Sequence, residues 1–477
     1  MSATKPVYQV TFQSLYMAWR ACQKRKAASS AAQRFEMHLL DRLFATQQAL
    51  QTGRYQTTAS YCFVTTQPKL REIHAAAFGD RVVHHLLVPE LEKLWEPWFI
   101  DQVYSNRKQK GTHKAVNQLQ RWMRKPACKY YLQLDIRNFF YSIQQGVLLT
   151  FLNKGLLKAV KQQKISTEKQ LFLSDLCQVF VQTDFTQSVA LNAYLAQKVP
   201  PHKQLSQQPL GQGLPIGNLT SQFFANVYLN ALDQFVKHQL KCKHYLRFVD
   251  DFILLADNPE QLKAWQISIS QFLDCKLSLC LKADIRLKPV NLGADFLGYI
   301  VRPHYILVRK RVVNHLNQKL NSYKKQLLQD LECHTLKLNH HLIGKINATL
   351  ASYIGHFKHA DSLNLIKNLW QRHRWLSIFF DFKAEEYQLL IKISPPKEVN
   401  YQQQIRFFAQ HYPHASLRVQ FGRAYKYYLA KQVELFADCL HLEIEQSGFR
   451  PQGKRKRHIT KIRLSNQFIR DLCTRGT

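Results

Sequence analysis

The sequence predicts an α+β chain, on three observations. Lys129-Tyr-Tyr-Leu-Gln-Leu-Asp-Ile-Arg-Asn-Phe-Phe-Tyr-Ser142 alternates Leu132, Leu134 and Ile136 with Tyr131, Gln133 and Asp135, the period of a half-buried strand. Tyr245-Leu-Arg-Phe-Val-Asp-Asp-Phe-Ile-Leu-Leu-Ala256 is two apolar runs of strand length broken by acids, a hairpin with Asp250 and Asp251 at its tip. Residues 223–236, and the spacing of Leu316, Leu320, Tyr323 and Leu327, carry helical periodicity instead.

In chain order, residues 11–52 are patterned as helices, carry the basic run Lys24-Arg-Lys26, and end at Gly53. A solvated face and an RNA-facing arm both fit that run. A first region extends to 128, and a strand-bearing region occupies 129–305. The latter is interrupted at about 154–207 by a stretch rich in Lys and Gln and closed by Val199-Pro-Pro-His-Lys, read as an insertion with its own helices. Residues 306–393 are expected to be helical. Ser394-Pro-Pro-Lys-Glu is a linker into a small basic α/β module at 398–477.

Composition narrows the function. The chain has 477 residues, room for about three domains with a sizeable core. Its 46% hydrophobic content excludes a mainly disordered protein. Lys and Arg total 67 against 32 acids, a net charge of +35, which favours a polyanionic partner and salt-sensitive binding. Ten cysteines form no CxxC, and the close pair Cys275 and Cys280 lacks a second pair at zinc-site spacing, so reduced thiols are expected. The start, Met1-Ser-Ala-Thr-Lys-Pro-Val-Tyr, has no apolar signal core, and no run approaches about 18 apolar residues, so a cytoplasmic protein with no membrane contact is expected.

The acids carry the chemistry. Adjacent carboxylates escape mutual repulsion only by protonating or by binding a cation, although Asp-Asp is also ordinary turn chemistry. Asp135 on the polar face of a strand adds a third acid. Mg²⁺ is held by one or two carboxylates together with substrate phosphates, so a strand acid facing a hairpin acid makes a two-metal floor. Between them, Gln208-Pro-Leu-Gly-Gln-Gly-Leu-Pro-Ile-Gly-Asn-Leu-Thr-Ser-Gln222 leads into a helix. Gly211, Gly213 and Gly217 miss the GxGxxG spacing, which argues against a dinucleotide fold.

Together these segments resemble the reverse transcriptases, in the order of their palm motifs A, B and C. Asp135 matches motif A, Leu214-Pro-Ile-Gly-Asn-Leu-Thr-Ser-Gln222 the motif B loop, and Phe248-Val-Asp-Asp251 motif C. Lys69-Leu-Arg-Glu-Ile-His74, Asp80-Arg-Val-Val-His-His85 and Tyr104-Ser-Asn-Arg-Lys-Gln-Lys-Gly-Thr-His113 resemble the fingers, and Ala294-Asp-Phe-Leu-Gly-Tyr299 the motif after the catalytic hairpin. The resemblance covers about residues 8–385 and implies a right-hand polymerase: fingers to 128, palm at 129–305, helical thumb at 306–393. Ile216, Ser221-Gln222 and Leu350-Ala-Ser-Tyr-Ile-Gly-His-Phe-Lys-His-Ala360 are similar to the bacterial branch of diversity-generating retroelements and the unknown-group enzymes of antiphage defence.

The resemblance implies roles. Asp135, Asp250 and Asp251, with the Ile136 carbonyl, would hold two Mg²⁺, with Mn²⁺ as the alternative ion. Lys69 and Arg71 would hold the dNTP triphosphate, Phe140 would exclude a ribose 2′-OH, and Ile136, Ile216 and Gly217 would line the nucleotide. Arg107 and Lys110 would meet nucleic acid. The motif D lysine is open between Lys282 and Lys288. An RNA template, a DNA product and dNTPs are the implied partners, a structured noncoding RNA foremost; an accessory protein or a homo-oligomer is left open.

Two features of the C-terminal module stand apart. Residues 404–425 resemble the mismatch-recognition domain that opens MutS-type repair proteins, but Gly422-Arg-Ala-Tyr-Lys puts Ala424 and Lys426 where that family has an aromatic and Glu, which argues against mismatch reading. Gly448-Phe-Arg-Pro-Gln-Gly-Lys-Arg455 nearly spells a P-loop, but Arg455 replaces the metal-binding hydroxyl; Lys454, Arg455, Lys456 and Arg457 therefore read as a nucleic-acid-facing loop. Two rivals to the polymerase reading are a noncatalytic nucleic-acid module, opposed by the three acids, and an RNA-dependent RNA polymerase, opposed by Phe140.

Overall fold

A computed structural model describes residues 8–24, 29–66, 70–183, 188–190, 194, 197–329, 331–332, 335–337, 339–392, 417–421, 424–428 and 461–463. The chain divides into two compact units, Met1–Tyr305 and Ile306–Thr477.

The first unit opens with helices α1 (Phe12–Gln23), α2 (Ser30–Glu36) and α3 (Leu39–Gln51). Thr11 and Ser29 cap the first two by accepting from backbone N–H groups one turn on. Strands β1 (Tyr61–Thr65) and β2 (Arg71–Ala75) form an antiparallel hairpin, and α4 (Phe78–Trp95) follows. After α5 (Thr112–Met123) come β3 (Tyr130–Asp135), the single turn α6 (Phe139–Ser142), and helices α7 (Gln145–Lys161) and α8 (Thr167–Val181).

Helix α8 lies within the stretch expected to be an insertion with its own helices, and α7 runs into it. Helix α7 begins well before residue 154, and Leu148, Leu152, Leu156, Leu173, Leu176 and Phe180 all join the main core. The apolar faces of the segment thus pack into the core of the unit.

A short β4 (Val189–Ala190) runs parallel to β1. Helix α9 (Leu219–Gln234) then leads through a wider turn to β5 (His244–Phe248) and β6 (Asp251–Ala256). Helix α10 (Pro259–Leu277) starts with Asn258 as its cap and Pro259 in the first turn, where a missing N–H costs nothing. Strand β7 (Arg286–Pro289) completes a four-stranded antiparallel sheet ordered β5-β6-β3-β7. Strands β8 (Ala294–Phe296) and β9 (Tyr299–Val301) form a hairpin beyond it.

Strand β3 lies at the centre of that sheet, which corrects the half-buried expectation. Leu132 and Leu134 join the main core on one face. On the other, Tyr131 is buried and its hydroxyl donates to the Gly293 carbonyl (3.0 Å), while Gln133 is buried and bonds the Asp295 carbonyl (3.1 Å). The alternation is real, but the 293–295 segment covers the face that the sequence left to solvent.

The second unit is built on α11 (Lys310–Gln329), α12 (His340–Phe357) and α13 (Leu363–Arg372). Leu316, Leu320 and Leu327 are buried against Leu342, Ile346, Leu350 and Phe357, and the Tyr323 hydroxyl meets Thr349 Oγ1 at 3.0 Å, so the expected stripe is the packing face. It also holds a hairpin, Phe380–Lys383 with Gln388–Ile391. Backbone pairing joins Lys461–Arg463 to Thr335–Lys337, and Leu417–Phe421 to Ala424–Tyr428. Lys454, Arg455, Lys456, Arg457 and most of the mismatch-domain resemblance lie outside the described residues.

One buried network positions the β5–β6 turn. Arg247 and Asp233 are both fully buried, with Arg247 Nε and Nη2 donating to the two Asp233 oxygens at 2.8 and 2.6 Å. The Tyr245 hydroxyl donates to the same carboxylate at 2.7 Å, and Arg247 Nη1 reaches the Val249 carbonyl at 2.9 Å. On the far side, Tyr104 N–H donates to the Arg247 carbonyl (3.0 Å), and Val249 N–H to Ser105 Oγ (2.9 Å). Replacing Arg247 by Leu should strand the Asp233 carboxylate without its partner and cost about 3–5 kcal/mol. Equilibrium unfolding in urea measures this, and a change below about 1 kcal/mol would show that the pair is not needed.

Candidate active site

The sheet brings the three acids to one end. Asp135 closes β3 directly opposite Asp251 at the start of β6, and Asp250 occupies the turn before it. Cross-strand partners project to one face, so the Asp135 and Asp251 side chains share it. Ile136 N–H donates to the Asp250 carbonyl at 3.2 Å, tying the turn to the chain after β3. Gln133, two residues before Asp135 and diagonal to Asp251, donates from Nε2 to Asp251 Oδ1 at 3.1 Å.

Electrostatics at this end are unfavourable without a cation. Burial, then repulsion from Asp135, raises Asp250 from 3.8 to about 6. Burial likewise raises Asp251 to about 7, with Asp135 and Asp250 adding to it and the Gln133 hydrogen bond opposing. Asp135 Oδ1 is buried with no hydrogen-bond partner, while Oδ2 is held by the Lys282 ammonium. Lys282 N–H also donates to the Asp135 carbonyl at 2.8 Å. Of the two lysines left open by the sequence, Lys282 therefore reaches the site, whereas Lys288 pairs opposite Tyr131 in β7 and is exposed. An orphaned carboxylate oxygen beside two carboxyls that resist ionisation fits divalent cations: hard oxygen donors gain a counter-charge and lose their mutual repulsion.

The glycine-containing loop is sewn between two elements. Leu214 N–H donates to the Phe140 carbonyl (2.7 Å), Gly213 N–H to Ile143 (2.8 Å), and Gln145 N–H to Gly211 (2.9 Å), fixing it to α6. On its other side His74 N–H donates to the Ile216 carbonyl (3.1 Å), and Ala76 N–H to Asn218 Oδ1 (3.2 Å), fixing it to the β1–β2 hairpin. Gly217 adopts φ +116°, and a Cβ there would lie 2.9 Å from Ile73 Cγ2, so only glycine fits this junction. Phe140 is half-buried with its ring edge-on to Phe139 (5.3 Å), and Ile216 is likewise half-buried. Arg71, exposed on β2, draws the Asp250 pKa downward, which puts its charge within reach of the acids.

Other expected residues fall elsewhere. Arg107 is turned inward: its guanidinium binds Glu96 (2.8 Å) and the Ile100 carbonyl (2.5 Å). Lys110 binds the Asp101 carboxylate and carbonyl. Both brace the turn around residues 96–111. Lys69 lies outside the described residues. The supporting residues Gln133, Asp233 and Arg247 were not singled out from the sequence. Their signal was there, since Arg247 and Asp233 each interrupt an apolar run and a charge so placed calls for a buried partner.

Residues 65–299 match the protein family described as Reverse transcriptase (RNA-dependent DNA polymerase), so this part of the chain is a reverse transcriptase domain with the right-hand polymerase fold. The chain is similar to the Group II intron-encoded protein LtrA of Lactococcus lactis subsp. cremoris, 23% identical over 240 residues that make up 50% of this chain and 34% of that protein. It thus spans about a third of the length of the curated relatives it matches. Among solved structures, telomerase from Candida tropicalis with a TWJ fragment of telomeric RNA gives a TM-score of 0.38 at 14% identity, over 68% of this chain and 56% of that one. Apo telomerase from the same organism gives 0.37 at 13%, over 68% and 61%.

The raised carboxyls predict a pH effect on stability. The metal-free fold binds these two protons more tightly than the unfolded chain does. Their stabilisation is therefore full below about pH 3.8 and is lost as pH rises through about 6 and about 7. In EDTA the melting midpoint should fall over that window, and Mg²⁺ should restore it. Asp250→Asn should raise the metal-free midpoint at pH 8 by about 2 °C and remove most of the Mg²⁺ response. A wild-type midpoint indifferent to both pH and Mg²⁺ would contradict the reading.

Proposed function

We propose that this chain is an RNA-directed DNA polymerase that extends a primer with dNTPs, working with a structured noncoding RNA in antiphage defence. The observation that carries the polymerase reading is the convergence of Asp135, Asp250 and Asp251 at one end of the sheet, beside a loop that binds both α6 and the β1–β2 hairpin. In the reaction a primer 3′-hydroxyl attacks the α-phosphate of a dNTP; the new phosphodiester forms as the bond to pyrophosphate breaks.

Two Mg²⁺, or Mn²⁺, held by the three aspartates and the Ile136 carbonyl would lower the pKa of the hydroxyl and offset charge on the pyrophosphate. The chain's own residues do the rest. Arg71, and Lys69 beside it in sequence, supply positive charge for the triphosphate. Phe140 places a ring where a 2′-OH would need room. Gly217 lets the backbone come close to the nucleotide, and Ile216 positions it by contact alone. Lys282, which holds Asp135 Oδ2, keeps that carboxylate oriented and would balance its charge beside bound cations.

Support for a dedicated RNA comes from charge. An excess of +35 over one catalytic cleft exceeds the needs of a short template–primer duplex, and helical segments of a structured RNA are recognised by shape and phosphate contacts. Such binding should fall steeply with salt. RNA that copurifies from cells should be dominated by one species, and Asp250→Asn should abolish phage protection while keeping that RNA bound. Bulk RNA without enrichment would refute the dedicated-RNA reading. A repeat-derived template with adenine-directed errors would favour a mutagenic retroelement enzyme instead.

The sugar gate has its own test. Phe140→Ala should raise ribonucleotide incorporation relative to dNTP by about tenfold or more in primer extension. An unchanged ratio would make Phe140 a packing residue.

A further inference from the structure

The β1–β2 hairpin carries a side-chain cluster that polymerisation does not use. Cys62 lies opposite His74 in the antiparallel register, and Glu72, two residues before His74, projects from the same face. All three are buried, at 7%, 7% and 3% exposure respectively for Cys62, Glu72 and His74. Cys62 Sγ is 3.6 Å from Glu72 Oε1, His74 Nε2 contacts the same oxygen, and the donor atoms all lie within 4.8 Å of one another. Among the described residues this is the tightest gathering of His, Cys and acidic donors.

The outer atoms of the cluster are engaged as well. His74 Nδ1 lies 3.1 Å from Ser188 Oγ, which meets Ser60 Oγ at 2.7 Å. Glu72 Oε2 accepts from Leu205 N–H at 3.2 Å. Both side chains are therefore oriented from behind, with Nε2 and Oε1 turned toward the thiol.

A buried glutamate needs a cation nearby, and His74 in its protonated form is one candidate. That explanation leaves Cys62 only a long S–H bond to the shared Glu72 oxygen. Thiolate, imidazole and carboxylate oxygen, with the far atoms of imidazole and carboxylate held by hydrogen bonds, form the donor set and supporting shell of a transition-metal site. The soft sulfur disfavours Mg²⁺ and Ca²⁺.

We propose that Cys62, Glu72 and His74 hold a transition-metal ion, Zn²⁺ by ligand chemistry, with a fourth position left for water. The ion ties β1 to β2, and Glu72, one of its ligands, also accepts from Leu205 N–H. It also steadies the strand whose His74 N–H holds the Ile216 carbonyl and whose Ile73 packs on Gly217. Its role is to fix the floor of the glycine-containing loop, and it is separate from the oxygen-liganded ions of the aspartates.

Elemental analysis of the full chain, freed of any affinity tag after expression with added zinc, tests this. About one zinc per chain is expected, both in wild type and in Asp250→Asn, which separates this site from the aspartate cluster. His74→Gln and Cys62→Ser should weaken zinc binding by about tenfold or more, and chelation should lower the melting midpoint of wild type but not of His74→Gln. Cobalt added to zinc-free wild type should give a near-ultraviolet thiolate-to-cobalt charge-transfer band, a readout that stands even if the variants do not fold. A wild-type chain that binds neither zinc nor cobalt would overturn the proposal and leave a buried Glu72–His74 pair. Zinc affinity unchanged in both variants would overturn it equally.

Discussion

A guanidinium and a carboxylate, both removed from water, hold the β5–β6 hairpin where it is. Burying Arg247 and Asp233 is costly, and the cost is offset only by complete satisfaction: two bonds between them, a third from Tyr245, and Arg247 Nη1 on the Val249 carbonyl. The strand itself is clamped from outside, since Arg247 N–H donates to Gln102 and its carbonyl accepts from Tyr104. Val249, a β-branched residue, takes φ +58°, a strained conformation that persists only where the surroundings over-determine it. Here both of its backbone polar groups are bound, by Ser105 and by Arg247. The tip carrying Asp250 is fixed before any substrate arrives.

That rigidity has an electrostatic consequence. Fixed carboxylates cannot move apart, so repulsion and burial are relieved by protons or by cations alone. Lys282 supplies part of the counter-charge to Asp135, and Gln133 supplies a hydrogen bond to Asp251, yet Asp135 Oδ1 stays unbonded. In a chain with 67 basic residues and 32 acids, three carboxylates gathered at one sheet end form a local inversion of the protein's field. Relief by divalent cations is therefore favoured at this end of the sheet.

The glycine-containing loop joins the two halves of this arrangement. One side hydrogen-bonds α6 beside Asp135, and the other hydrogen-bonds β2, which carries Arg71. A displacement of β2 would be felt at Ile216 and Gly217 directly. The Cys62–Glu72–His74 cluster joins that strand to β1, which is why its cohesion matters to the glycine-containing loop.

Strand β3, the β5–β6 hairpin, α9 and the stripe of α11 were all legible in the sequence, because periodicity and turn chemistry are local. The three aspartates were legible too, since an acid that interrupts an apolar run has few uses. Other features needed the fold. That β3 is covered on both faces depends on residues 293–295, far along the chain. That Arg107 turns inward and Lys110 pairs at the surface depends on Glu96 and Asp101 lying within reach across a turn. Lys282 was distinguished from Lys288 only by which one the β3 neighbourhood brings to Asp135. No motif spacing marks Cys62, Glu72 and His74, which meet only through strand register. The sequence by itself determined which residues carry charge, apolar surface and backbone freedom. Only the tertiary structure decided which of them meet, because burial, ion pairing and pKa depend on distances between segments that local pattern does not encode.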